Sequence, residues 1–299
     1  MRAFVIYRYG GPEVLEAVDL PSPVPAPGET LVRIRAIAVN PADAKWRAGL
    51  FAGFMPVNFP HVLGYDVAGE VIGGTGWPPG TRVFGMLDPI SKGGYAEQVA
   101  IPAAQLAEVP RQLDFPTAAA LPTAALTGLQ LVEDALDVHP GQRILITGAV
   151  GAVGHAAVHI AKARGAIVVA AVRMTQLDEA FALGADEAIL LDAEYLGAPF
   201  DHVVDTVGGQ AVARLCAHLK PDGRIVTVAT APILVEGLGA QPEFYSVRPD
   251  GAQLVRLAAL VASGAMTVPI ARILPLSEVA EAHVVVERGG AGGKLILQP

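Results

Sequence analysis

Residues 144–166 read ILITGAVGAVGHAAVHIAKARGA, and the fold is decided there. An apolar, strand-like run ends at Thr147, three glycines follow at Gly148, Gly151 and Gly154, and a helical pattern begins inside them. Val153, Ala157, Ile160 and Ala161 recur at helical spacing, and Gly165 stands where such a helix would end. Strand, glycine turn and helix in that order bring bare backbone to the positive end of a helix, where a pyrophosphate can approach N–H groups. The spacing is G-x-x-G-x-x-G rather than G-x-G-x-x-G, and the logic of the turn is the same. The expected dinucleotide contacts are Gly148, Ala149, Val150, Gly151, Ala152, Val153 and Gly154.

Outward from this stretch the alternation continues. Apolar runs IVVAAV (167–172), HVVDTV (202–207) and RIVTVA (224–229) are separated by helical patterns over 176–183 and 210–219. That rhythm predicts a parallel, doubly wound sheet in an α/β protein. The first 110 residues differ. Short strand-like runs at 3–7, 30–38, 67–72 and 82–86 lie between loops such as PSPVPAPGE and GGTGWPPG, as in a compact β-rich unit. The closing stretch, ARILPL to GGKLILQP, returns to that character. The expected division is a β-rich domain over 1–122 completed by 267–299, with a Rossmann domain inserted over 123–266.

An NAD site usually carries an acid about 20 residues after its glycines, bonded to the ribose hydroxyls. Nineteen residues after Gly154 stands Arg173, in VAAVRMTQ (169–176). A guanidinium there pairs with a 2′-phosphate and the selecting acid is missing, so NADPH is the expected cofactor. Composition narrows the rest. A 52% hydrophobic share against 17% charged residues supplies packed cores, and a net charge of −8 without a basic run argues against nucleic acid. Cys216 stands alone, which removes internal disulfides and multi-cysteine zinc sites and fits a cytoplasmic setting. The longest uncharged run, 115–132, is short for a membrane span of roughly 20 residues and contains Pro116 and Pro122, so no membrane segment is expected.

Six ordered stretches then carry a family likeness. They are NPADAKWRAG (40–49), HVLGYDVAGEV (61–71), GGYAEQVAIPAAQLAEVP (93–110), AALPTAALTGLQ (119–130), DTVGG (205–209) and GGKLIL (292–297). The chain resembles, nearly end to end, the quinone oxidoreductases of the medium-chain dehydrogenase/reductase superfamily. The resemblance implies a GroES-like catalytic domain with the Rossmann domain inserted, an active site in the cleft between them, and a homodimer. It implies a quinone or other small carbonyl compound as substrate, and Thr127, Thr230 and Lys294 as further cofactor contacts. Zinc-dependent relatives carry Cys near the position of Asn40 and Gly-His-Glu where this chain has Gly64-Tyr65-Asp66, so no metal is expected. Relatives often place Lys where Gln176 stands, so Gln176 is an expected cofactor contact with Arg173 the expected substitute for the charge, and Tyr where Phe51 stands.

Hydride transfer needs the nicotinamide about 3–3.5 Å from an electrophilic carbon in a site that excludes water. A conjugated enone or quinone delocalises the arriving charge onto oxygen, where a polar donor helps. Asn40 is the first expected donor and Tyr65 the second, while Asp43 either orients the site or caps the helix carrying Trp46 and Arg47. Replacing Asn40 is expected to slow turnover and spare stability. Phe51, Phe54 and Trp46 are expected either in an apolar pocket wall or in the core. Enoyl-thioester reduction and NADPH binding without catalysis are the competing functions that share the pattern.

Overall fold

The computed structural model describes residues 1–234 and 236–299. The chain divides into two units, Met1–Leu126 with Arg248–Pro299, and Thr127–Val247. The first unit holds strands Arg2–Ile6 (β1), Glu16–Asp19 (β2), Glu29–Val39 (β3), His61–Val62 (β4), Asp66–Gly74 (β5), Arg82–Met86 (β6), Gln98–Pro102 (β7) and Leu106–Glu108 (β8). Helices Pro41–Arg47 (α1) and Phe115–Ala120 (α2) belong to it, and the boundary between units falls inside Pro122–Gln130 (α3). Leu121 lies between the last two helices and Pro122 opens the second, so the long uncharged run is broken in the middle. No helix among the described residues is long and apolar enough to cross a membrane.

The long strand β3 organises this unit. Val32 and Ile34 point inward and Arg33 and Arg35 outward, and from Ala36 to Val39 every residue is buried. The strand therefore begins on a solvated face and ends inside the sheet. Antiparallel β5 pairs with one edge, setting Ala38 against Asp66. Strands Ile270–Pro275 (β15) and Lys294–Gln298 (β16) arrive from the far end of the chain, and β16 pairs with the other edge of β3, Leu295 against Val39. One step further, that register puts Lys294 opposite Asn40. Helices Gly251–Ala262 (α7) and Val279–Arg288 (α8) complete the unit.

The second unit is one parallel six-stranded sheet. Its strands are Arg143–Thr147 (β9), Ile167–Val172 (β10), Glu187–Leu190 (β11), Phe200–Asp205 (β12), Leu219–Thr227 (β13) and Pro242–Phe244 (β14), with helices Ala152–Ala163 (α4), Leu177–Ala182 (α5) and Gly209–Cys216 (α6). The order β11-β10-β9-β12-β13-β14 reverses direction between β9 and β12, which opens the ligand crevice beyond their carboxyl ends. Gly165, with φ +78°, ends α4 as its position suggests.

Two features differ from expectation. Strands β11 and β14 were hidden because each is short and carries an acid, Glu187 or Glu243, within its run. Residues 248–266 sit with the first unit, not the Rossmann unit. Gly251 brings α7 against the backbone that enters β8, where an added Cβ would lie 2.4 Å from the Leu106 carbonyl oxygen and 2.5 Å from that of Ala104.

Candidate active site

In the Rossmann unit the glycine turn is shaped by contacts that admit no side chain. Gly148 has φ +61°, and a Cβ there would lie 2.4 Å from Thr206 Oγ1. A Cβ on Gly154 would meet the Gly148 carbonyl oxygen at 2.3 Å, so the third glycine lets α4 settle onto the turn. Gly151 is the N-cap, and the first helical bond runs from His155 N–H to the Gly151 oxygen at 2.7 Å. The N–H groups of Ala152, Val153 and Gly154 therefore have no acceptor within the helix and remain for an anion. Ala149 is fully buried and can offer backbone alone.

Asp205, at the end of β12, fixes the crevice from beneath. Its Oδ1 accepts from Thr147 Oγ1 at 2.6 Å and from the N–H groups of Val207 and Gly208, and its Oδ2 accepts from Thr227 Oγ1 at 2.6 Å. One buried carboxylate thus ties β9, β12 and β13 together where the order reverses. The signal was an acid closing an apolar strand in HVVD, which must find donors once buried.

Arg173 follows β10, is exposed, and makes no ion pair among the described residues. Gln176 turns back to the Arg173 N–H over 3.4 Å, a long contact. Thr230 is exposed, and Thr127 is buried within α3. The cradle, its helix end and the exposed cation together suit a dinucleotide.

The first unit gathers the other expected residues at one end of β16, β3 and β5. Asn40 caps α1 and is 3% exposed. Its Nδ2 donates to Asp66 Oδ2 at 2.9 Å, while the Lys294 ammonium donates to its Oδ1. Lysine only donates and aspartate here only accepts, so the amide has one possible orientation. Asp66 is closed on its other oxygen by Thr123, whose N–H and Oγ1 donate at 2.8 and 2.6 Å.

Three of the expected residues have further partners here. Lys294, expected as a cofactor contact, is 5% exposed, bonded to Asn40 and 3.6 Å from Asp66. Asn40 joins two buried charges, so removing its amide is now expected to cost stability as well as turnover. Asp43 caps α1 from the third helical position, its Oδ2 accepting the Asn40 N–H at 2.7 Å. It also accepts from the Tyr95 hydroxyl at 3.1 Å. Of the aromatic residues, Trp46 is core, Phe51 packs edge-on to it at 5.1 Å, and Phe54 is 64% exposed.

Burial pushes the Asp43 carboxyl up to about 7 against the opposing Asn40 N–H, and the Asp66 charge adds to the rise. Tyr65 is 1% exposed, and burial with the charges of Asp43 and Asp88 raises its hydroxyl well above the usual phenol range. Behind Tyr95, the His283 imidazole is held down to about 3 by burial and by the Arg47 guanidinium.

Known proteins fit this geometry. Residues 26–111 match the alcohol dehydrogenase GroES-like domain and residues 183–297 the zinc-binding dehydrogenase model. The quinone oxidoreductase of Coxiella burnetii is 32% identical, superposes with a TM-score of 0.90, and is covered over 99% of its chain by 100% of this one. This chain belongs to the quinone oxidoreductase family of the medium-chain dehydrogenase/reductase superfamily. The mitochondrial NAD(P)H oxidoreductase RTN4IP1 of Mus musculus is 30% identical over 99% of this chain and 89% of its own length. The 2-haloacrylate reductase of a Burkholderia species is 29% identical over 99% and 98%. As a member of this family the chain is an oxidoreductase using a nicotinamide cofactor.

The zinc that one matching model names does not suit the residues present. Among the described residues no three His, Cys, Asp or Glu side chains converge as ligands. At Asn40 and Asp66, where two oxygens do converge, the Lys294 ammonium already supplies the positive charge.

Proposed function

We propose that this oxidoreductase uses NADPH, without a metal, to reduce a quinone or an α,β-unsaturated carbonyl compound. The observation that carries the reading is the Lys294 ammonium seated between Asn40 and Asp66. A cation fixed there repels a divalent ion, which favours acceptors that take a hydride without Lewis-acid activation. Quinones and conjugated enones are such acceptors, and a haloacrylate is an unsaturated acid of the same reactive type.

A nicotinamide bound at the glycine turn supplies the hydride. The residues of this chain do the rest. The N–H groups at the start of α4 receive the pyrophosphate, and Arg173, exposed and without an ion pair among the described residues, accepts the 2′-phosphate that distinguishes NADPH. Asn40, its carbonyl held by Lys294 and one N–H by Asp66, keeps its second N–H for an oxygen on which charge builds. The buried, unpartnered Tyr65 hydroxyl is the second donor. We take the assembly to be a homodimer on the family resemblance, and the lone buried Cys216 suits a reducing, cytoplasmic setting.

The test is NADPH oxidation against a panel of small quinones and enones, with and without chelator. Turnover of at least one class, unchanged by chelator, is expected. Activity that disappears with chelator and returns with zinc overturns the metal-free reading.

A further inference from the structure

Helix α4 carries a second chemical pattern beside its glycines. His155 and His159 stand four residues apart in GHAAVH (154–159), which puts both side chains on one face of the helix, one turn from each other. Their Nε2 atoms lie 3.3 Å apart, with the ring centroids 4.9 Å apart and the ring planes tilted by 57°. Protein N–H donors commonly approach their acceptors to about 2.9–3.0 Å, so a hydrogen bond between the two rings is a long one. The same separation is the edge of a metal tetrahedron. Two imidazole nitrogens bound to one zinc-sized ion at about 2.0–2.1 Å, about 109° apart, lie roughly 3.3–3.4 Å from each other. The tilt is no obstacle, because an imidazole can turn about its own bond to a metal.

We propose that His155 and His159 form a bidentate site for a borderline divalent transition-metal ion, of the class of Zn²⁺, Ni²⁺ and Cu²⁺. Both Nε2 atoms bind the ion, and each ring keeps its proton on Nδ1. Among the described residues no set of three His, Cys, Asp or Glu converges as ligands, so water fills the remaining positions and the ion is exchangeable. Imidazole suits this class of ion, whereas Mg²⁺ and Ca²⁺ prefer oxygen. Burial holds the His159 ring below its ordinary range, which keeps it neutral, and its half-buried position leaves the pair within reach of solvent.

The ion would act on the helix. Gly154 lies in the first turn of α4, where a Cβ would meet the Gly148 oxygen at 2.3 Å, so the glycine turn forces a poor helix former on that end. A clamp across residues 155 and 159 ties the turn that follows Gly154 to the next one. The site lies in the Rossmann unit, while Asn40, Asp66 and Lys294 belong to the other. The ion takes no part in the reduction, so the site stands whichever acceptor the enzyme uses.

The test is Ni²⁺ titrated calorimetrically into the metal-stripped full chain, with thermal unfolding followed over the same concentrations. Saturation at one ion per chain is expected, with a melting point that climbs with Ni²⁺, since an ion held by the native helix favours the folded state. His159→Gln should weaken Ni²⁺ by more than about tenfold, beyond what loss of an outer partner of a metal ligand commonly costs. It should also abolish the rise in melting point. The residue is half-buried, so this variant is chosen over His155→Gln, and an unchanged circular dichroism spectrum confirms its fold. His139→Gln, at an exposed histidine outside α4, should bind as the parent does. Mg²⁺ should give no protection. A parent chain that takes up no Ni²⁺, a His159→Gln chain that binds as tightly as the parent, a loss of binding in His139→Gln, or equal protection by Mg²⁺ overturns the site.

Discussion

At the scale of single residues, two buried groups oppose each other in their response to pH. Asp43 is raised to about 7 from an unfolded value near 3.8, so the folded state holds its proton longer and stability falls as pH rises through that window. His283 is lowered to about 3 from about 6.5, so the unfolded state binds the proton first and stability rises with pH between those values. Each slope is worth up to roughly 1.4 kcal/mol per pH unit for one proton, and between about pH 4 and 6.5 they largely cancel. Urea titrations of Asp43→Asn over this range should therefore show stability climbing with pH, and those of His283→Gln should show it falling. Parallel curves for both variants and the parent would mean that neither group titrates on unfolding. Arg173 makes a separate prediction. One charge-assisted contact is worth roughly 1.5–3 kcal/mol, so Arg173→Ala should weaken NADPH binding by about tenfold to a hundredfold and barely change NADH. Equal losses in calorimetric titrations with the two cofactors would make Arg173 a structural residue.

Among the elements, the turn before β5 shows how backbone shape reaches the site. Gly64 has φ +88°, and a Cβ there would lie 2.5 Å from Cδ1 of Tyr95, whose hydroxyl reaches Asp43. Gly80 has φ +85° with nothing within 4 Å of the same position. Gly80→Ala should thus cost only the left-handed strain, about 1–2 kcal/mol. Gly64→Ala should cost more, since the ring must shift, and should melt several degrees lower than Gly80→Ala in calorimetry. Equal melting points would show that the ring yields freely. The pattern of elements was legible where periodicity was strong. The α4 helix and strands β9, β10, β12 and β13 followed from apolar runs and glycines. Asn40, Tyr65 and Asp43 came from motifs alone, and the structure does bring Asn40 and Asp43 together. The partners that define them did not, because Lys294 meets Asn40 across 254 positions and His283 meets Arg47 across 236. Such pairings are fixed by strand register and helix packing, and no local pattern encodes them.

For the whole molecule, the two units differ in how the chain enters them. Thr127–Val247 is continuous, whereas the other unit is written in two pieces. The fragment 127–247 should give a cooperative urea transition by circular dichroism, and the fragment 1–126 should not, since β3 would expose the edge that β16 covers. A cooperative transition in 1–126 alone would show that β16 is dispensable for folding. The β16–β3 pairing also bears on synthesis. At about 5–20 residues per second, Lys294 leaves the ribosome roughly 10–50 s after Asn40. Until then the Asn40 carbonyl lacks its donor, and Asp66 has no ammonium beside it. The Rossmann unit, 127–247, is made in full within that interval. A nascent chain can therefore fold its glycine turn before the cluster of Asn40, Asp66 and Lys294 closes, so that a strand made late completes a sheet begun early.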